Sequence, residues 1–123
     1  MYNFKLEWRS EGVSYGIVCY PRYSNASIVA EGIGKRISFE GDLEFCGVDF
    51  NNIIGAELIT KFYVKIKEGS VTIYTGYFTY EMMEVNYDAK IIKTTLKTDD
   101  YYKITSDAFF AQNKERFDCT FIS

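Results

Sequence analysis

The chain has 123 residues, a formal net charge of −3, no histidine, and 18% aromatic residues carried by eleven tyrosines and ten phenylalanines. A chain of this length forms one domain that buries roughly 65 to 70% of the surface its unfolded form exposes, and its lysines are interleaved with acids, which speaks against capture of nucleic acid by bulk charge. Without histidine the usual general base near neutral pH is missing, and with neither an apolar run of the ~18 residues that cross a bilayer nor an export signal in MYNFKLEWRSEG, a soluble chain made without export is expected.

Taken in chain order, YNFKLEW alternates, with Phe4, Leu6 and Trp8 on one face and Asn3, Lys5 and Glu7 on the other, the period of a half-buried strand. After Glu11-Gly12, VSYGIVCY pairs back on it, and Pro21 lacks the backbone donor that would continue the ladder. Ser24 to Gly34 is weakly patterned and reads equally as a loop or a brief strand. Alternation returns in KRISFEGDLEFCGVDF, where Gly41-Asp42 separates Ile37 and Phe39 from Leu43 and Phe45. DFNNII is expected to form a short helix capped by Asp49 and stopped at Gly55.

TKFYVKIKE carries the strongest local pattern, with Phe62, Val64 and Ile66 opposite Lys61, Tyr63, Lys65 and Lys67. It turns through Glu68-Gly69-Ser70 into VTIYTGYFTYE, in which Gly76 permits a bulge or a close backbone crossing. EMMEVNY then pairs through Asp88-Ala89 with KIIKTTLK, whose Ile92, Thr94 and Leu96 share a face, so that a meander runs from Tyr63 to Lys97. In the tail, Thr98 or Asp99 caps a short helix carrying Tyr102, Ile104, Phe109 and Phe110, and RFDCTFIS alternates again. It ends without a polar close, as though a longer polypeptide continued.

Few groups are placed for chemistry. Cys19, Cys46 and Cys119 are widely spaced and read as small core hydrophobes of a reducing compartment rather than metal ligands or a disulfide. Asp99-Asp100 reads as a helix cap and Glu40, Asp42 and Glu44 as a solvated strand face, because neighbours on a strand point to opposite sides and do not converge. GIGKR, Gly32 to Arg36, lacks the spacing of a phosphate loop and reads as a turn. No catalytic, metal or cofactor site is expected. Tyrosines 63, 74, 77, 80, 101 and 102 suit the stacking of sugars or bases, or the amphipathic face of a subunit contact, and the acidic balance favours the contact. Its candidate residues are Tyr63, Tyr77, Tyr80, Tyr101 and Tyr102.

The run ISFEGDLEFCGVDFNNIIGAELITKFYVKI, followed by YTGYFTYEMMEVNYDAKIIKTTLKTDDYYKI, resembles a segment of the large structural proteins of tail and baseplate modules in tailed bacteriophages and prophages of anaerobic gut bacteria. The likeness spans roughly residues 37 to 104. It lies in the aromatic-Glu-Gly-Asp start, the Gly-x-Asp-Phe step into a helix, the Lys-Phe-Tyr and Gly-Tyr-Phe strands, and a carboxylate-turn-lysine hairpin ending in Asp-Asp-Tyr. The resemblance implies the N-terminal β domain of a tail hub or baseplate component, forming symmetric rings with itself and contacting other virion tail proteins. Nucleic acid and membrane are not among the implied partners, and localisation would be the virion, assembled in the host cytoplasm. Such proteins are usually longer, so roles of later domains do not transfer.

The expected architecture is a single, mainly β domain over residues 1–123, an antiparallel barrel or sandwich of about seven to nine strands with one or two short helices. Its expected function is assembly. A carbohydrate-binding module using the same aromatics and a small carboxylate-dependent hydrolase built on Asp99, Asp100 or Glu44 are the alternatives.

Overall fold

The computed structural model describes residues 4–11, 17–19, 21, 23–31, 36–56, 61–98, 116–119 and 121. The strands are β1 (Phe4–Ser10), β2 (Ile17–Cys19), β3 (Tyr23–Ser24), β4 (Ser27–Glu31), β5 (Arg36–Glu40), β6 (Leu43–Cys46), β7 (Phe62–Glu68), β8 (Val71–Phe78), β9 (Glu84–Asn86), β10 (Ile91–Thr94), β11 (Lys97–Thr98) and β12 (Arg116–Asp118). Helix α1 (Gly47–Ile54) follows β6, and a 3₁₀ turn, Tyr80–Met82, follows β8. Among the described residues seven strands, β1, β4, β5, β6, β7, β8 and β10, reach four residues, and the other five are shorter pieces at their margins. The fold is mainly β, as the alternation predicts.

Three antiparallel sheets share one core. A five-stranded sheet has the order β11-β8-β7-β1-β2, a four-stranded one β3-β6-β10-β9, and a three-stranded one β12-β4-β5. Their inner faces meet in one continuous cluster: Phe4, Leu6, Trp8, Phe62, Val64, Ile66 and Phe78 from the first, Leu43, Phe45 and Ile92 from the second, Ile28, Ile37 and Phe39 from the third. Phe78 stacks on Phe62 at 5.1 Å and on Phe45 at 5.8 Å, tying the first sheet to the second through aromatic rings. Each such fully buried side chain contributes about 1.5 to 3 kcal/mol relative to exposure, so the face-to-face packing is the main source of stability.

The second and third sheets are two ends of one bent ribbon. Tyr23 pairs with Glu44 and Ser24 with Leu43 on one side of the bend, and Ser27 pairs with Glu40 and Ile28 with Phe39 on the other, in the same register. At the bend the Asn25 amide donates to the Asp42 carbonyl at 3.3 Å, and the Asp42 amide donates to Asn25 Oδ1 at 2.6 Å. Gly41 has φ +96°, and a Cβ there would lie 2.6 Å from the Asn25 carbonyl oxygen, so the corner accepts only glycine. Gly41-Asp42 is thus a corner that lets one strand pass between sheets, rather than a reversal of the chain. The first and third sheets also join at their margin: Phe121 bridges in parallel to Phe4, and the Cys119 amide donates to the Ala26 carbonyl at 2.8 Å.

Several sequence expectations hold and several are corrected. The β1–β2 and β7–β8 hairpins form as expected, the first ladder ending at Leu6–Cys19, ahead of Pro21. The ambiguous stretch contains a strand, β4: it pairs on both edges, and Ser27, Ile28 and Val29 are buried in succession, so no alternation could mark it. Asp49 is not the helix cap. Cys46 occupies that position without a side-chain cap bond, and Asp49 lies in the first turn, accepting a 2.9 Å hydrogen bond from Trp8 Nε1. Gly55 ends the helix, donating to the Asn51 carbonyl at 2.9 Å.

The expected meander is interrupted. β8 belongs to the first sheet and β9 to the second, because the 3₁₀ turn Tyr80–Met82 carries the chain across the core edge where a paired strand was anticipated. β9 and β10 do form their hairpin, with Ile92, Thr94 and Leu96 buried together. The register shift in the β7–β8 ladder falls at Ile66/Lys67, opposite Ile73, while Gly76 serves the close crossing: a Cβ there would stand 2.5 Å from the Lys97 carbonyl oxygen. Thr98 ends in strand β11, its hydroxyl 3.1 Å from that of Tyr74. The expected tail helix beyond it, with Asp99 and Asp100, and the turn Gly32 to Lys35 lie outside the described residues.

Candidate interaction surface

Strand alternation sends every second residue of the first sheet outward, away from the core. On that outer face Arg9 pairs with Tyr63, Tyr63 with Tyr77, and Tyr77 with Lys97, so four side chains stand in one row across β1, β7, β8 and β11. The row reads cation, aromatic, aromatic, cation. The Arg9 guanidinium lies 4.2 Å from the centre of the Tyr63 ring, and Lys61 Nζ lies 4.6 Å from that of Tyr77. The two rings are 6.4 Å apart and tilted by 55°. Both tyrosines are half-buried by their neighbours yet keep an outward edge.

The same face continues into Lys5, Glu7, Lys65 and Lys67 in the next rows. Glu7 and Lys67 form an ion pair at 3.4 Å. Among the described residues the face therefore holds Lys5, Arg9, Lys61, Lys65, Lys67 and Lys97 against Glu7, with Glu11 at its edge, in a chain whose overall charge is −3. Lys5 directly opposes Lys67, a like-charge pair that the Glu7 carboxylate on Lys67 relieves.

Tyr80 is placed apart from this row. Its ring packs edge-on against the buried Phe62 at 5.4 Å, and its hydroxyl lies 2.8 Å from the Ile53 carbonyl and 2.6 Å from that of Ala56. Its one hydroxyl proton is shared between the Ile53 carbonyl, which also accepts from the Ala56 amide at 3.3 Å, and the Ala56 carbonyl just beyond α1, so the side chain ties the end of the helix to the 3₁₀ turn. Tyr74, at the other extreme, is fully buried, 5.7 Å from Phe39. Tyr101 and Tyr102 lie outside the described residues. Of the five expected contact residues, the structure thus brings together Tyr63 and Tyr77.

The outer face of the second sheet is of the opposite character. There Glu44 and Glu84 flank Lys93 in register, and an open cleft of about 640 Å³ is lined by Glu44, Glu84, Asp88, Tyr87, Ile91 and Lys93. Asp42 adds a carboxylate 3.9 Å from Lys93. Tyr87 stands 67% exposed at the rim, its ring edge-on to Phe50 at 6.4 Å. Glu40, Asp42 and Glu44 all reach solvent at least in part, but they lie on β5, at the corner and on β6 rather than on one strand face, because the ribbon bends between them.

Among the described residues two groups have perturbed titration. Burial lifts the Asp49 carboxyl above its ordinary value, and the hydrogen bond from Trp8 opposes that rise. Burial, and then the charge of Asp118, push the Cys119 thiol up to about 12, against a hydrogen bond with the Ile28 backbone. Cys119 is the expected core hydrophobe, whereas Cys46 is exposed and corrects that expectation, because it sits at the strand-to-helix junction rather than within a sheet interior. The Cys19 side chain lies outside what is described.

No protein-family model, curated protein or solved structure matches the chain. Arg9, Lys61 and Lys97 are the members of the surface that reading by residue type passed over. Arg9 and Lys61 carried a signal, since each alternates with buried neighbours in a recognised strand, but the pairing of Lys97 with Tyr77 joins distant segments and has no local mark.

Proposed function

We propose that the chain is an assembly protein whose working part is the outer face of the five-stranded sheet. The observation that carries this reading is the in-register row Arg9–Tyr63–Tyr77–Lys97. Two tyrosines presented edge-outward on a flat sheet, each flanked by a cation, suit burial against another protein surface, where aromatic and arginine side chains contribute most of the binding energy. The ring faces favour this over sugar stacking, since Arg9 and Lys61 already lie over them. The resemblance to tail and baseplate proteins supplies the setting: a virion component, assembled in the host cytoplasm, that joins copies of itself and neighbouring tail proteins in a ring.

Light scattering across a concentration series tests the reading. The wild type is expected to show a mass above one chain, and Y63S/Y77S to show a smaller assembly with unchanged far-UV circular dichroism. A single-chain mass at every concentration, together with chemical-shift changes at Tyr63 and Tyr77 on titration with oligosaccharides, would overturn it in favour of a carbohydrate-binding module.

A further inference from the structure

The two outer faces differ in charge, and they lie on opposite sides of the shared core. One presents Lys5, Arg9, Lys61, Lys65, Lys67 and Lys97 with Glu7 among them; the other presents Glu44, Glu84 and Asp88 around an open cleft, with Lys93 between the glutamates and Asp42 beside it. We infer that the chain binds a second copy of itself head to tail, the basic face of one copy seated on the acidic cleft of the next. This deepens the assembly reading above and rests on it.

Charge complementarity singles out this occupant. The basic face carries six cations against Glu7 and Glu11 in a chain of net charge −3, so acids outnumber cations over the rest of the sequence. The cleft sets Glu44, Glu84 and Asp88 against Lys93, which stands between the two glutamates; it keeps an excess of carboxylate and room for a further cationic side chain, and its rim offers Tyr87 and Ile91 as apolar ground for the stem of a lysine or for Tyr77. Lys61 and Lys97, on either side of Tyr77, are the side chains placed to enter it. Lys5, set opposite Lys67, gains a carboxylate neighbour in the same contact, beyond the Glu7 that already pairs with Lys67.

Such a contact joins two different patches, so it repeats from copy to copy. It closes as a ring where the rotation between neighbours permits and otherwise continues as a stack. A self-matching contact related by a two-fold axis would pair like with like, setting cations against cations, and is disfavoured for that reason.

The test uses two double variants at exposed positions, K61E/K97E on the basic face and E84K/D88K at the cleft, with far-UV circular dichroism confirming that each folds. In sedimentation at about 50 mM salt the wild type is expected to assemble and to disperse as screening shortens near 0.5 M. Each variant alone is expected to bind itself at least about tenfold more weakly, because like charges now meet. Mixed in equal amounts, the two variants present one intact pair of faces and one charge-reversed pair that is again opposite in sign, so the mixture should recover assembly that neither shows alone.

An oligomer indifferent to both variants removes this contact and leaves the assembly reading standing. An oligomer lost in only one of the two variants overturns it in favour of a self-matching contact, and one lost in both and not restored on mixing overturns it as well. A wild type of single-chain mass at low salt overturns both readings. If that single chain also binds a fluorescent oligothymidylate, and K61E/K97E abolishes the binding, the basic face belongs to a polyanion instead.

Discussion

Phe62 and Phe78 face each other on the inner side of the β7–β8 hairpin, and one residue along, Tyr63 and Tyr77 face each other on the outer side. The inner rings are fully buried and stacked, 5.1 Å apart with planes 14° from parallel. The outer rings are 6.4 Å apart, splayed by 55°, and each lies under a cation. The two pairs are consecutive steps of one antiparallel ladder, on opposite faces of the same hairpin. The difference arises from what each face meets: the inner pair is closed off by Phe45 and Trp8, so its apolar area is spent in folding, whereas the outer pair retains area that a partner can still remove from water.

The sharpest way to break this comparison is to truncate one ring from each pair. Phe78→Ala is expected to lower unfolding free energy by about 3 to 5 kcal/mol, through lost transfer energy and a cavity between the first two sheets. Tyr77→Ala is expected to cost less than about 1 kcal/mol, the scale of an exposed cation–aromatic contact. Urea denaturation of both measures the ratio; equal costs would mean that the outer pair belongs to the fold rather than to a contact.

Gly76 directly precedes Tyr77 and Phe78 on β8, opposite Val64, and its conversion to alanine sharpens the comparison from the backbone side. A Cβ 2.5 Å from the Lys97 carbonyl must push β11 away. The expected cost is about 1 to 3 kcal/mol, with faster hydrogen exchange at Lys97 and Thr98 than elsewhere in the sheet. Unchanged exchange there would show that the crossing is looser than the geometry indicates.

These substitutions also mark how far the amino-acid order discloses the structure. The inner and outer sets of β1 and β7 were readable because each strand has one dry and one wet face, and period two records that difference directly. β4 was not readable, since three consecutive buried residues erase the period. The step from β8 to β9 was missed because the decisive contact, the Tyr80 hydroxyl on the end of α1, joins residues far apart in the chain. The same limit applies to the surface: Tyr63 and Tyr77 stand out by type, but the cations beside them become a row only once four strands are in register.

Smaller effects are expected from the two perturbed groups. Because burial raises the Asp49 carboxyl in the folded state above its unfolded value, the folded protein takes up the proton first as pH falls. The ionised, partly buried group therefore opposes folding at neutral pH, and that penalty fades as pH drops through the folded value toward 3.8. Asp49→Asn, which retains an acceptor for Trp8, should be more stable than wild type at pH 7, with the gap closing in acid; a gap independent of pH would contradict the assignment. For the thiols, iodoacetamide at neutral pH should label Cys46 in the folded protein and reach Cys119 only after unfolding, because Cys119 is buried and its thiol is held near 12. Peptide mass spectrometry reads both sites, and equal labelling would show that the margin around Cys119 opens.

The bent ribbon sets a rule for how this chain tolerates length changes. Because one register runs through the corner at Asn25 and Gly41, the arms on either side are phased to each other as well as to their own sheets. Adding a single residue to either arm near the bend would turn Leu43 and Phe45, or Phe39 and Ile37, toward solvent as a block, while adding two would restore their orientation. Sequences that share this architecture should therefore vary in length here by even steps, with glycine kept at the inside of the bend.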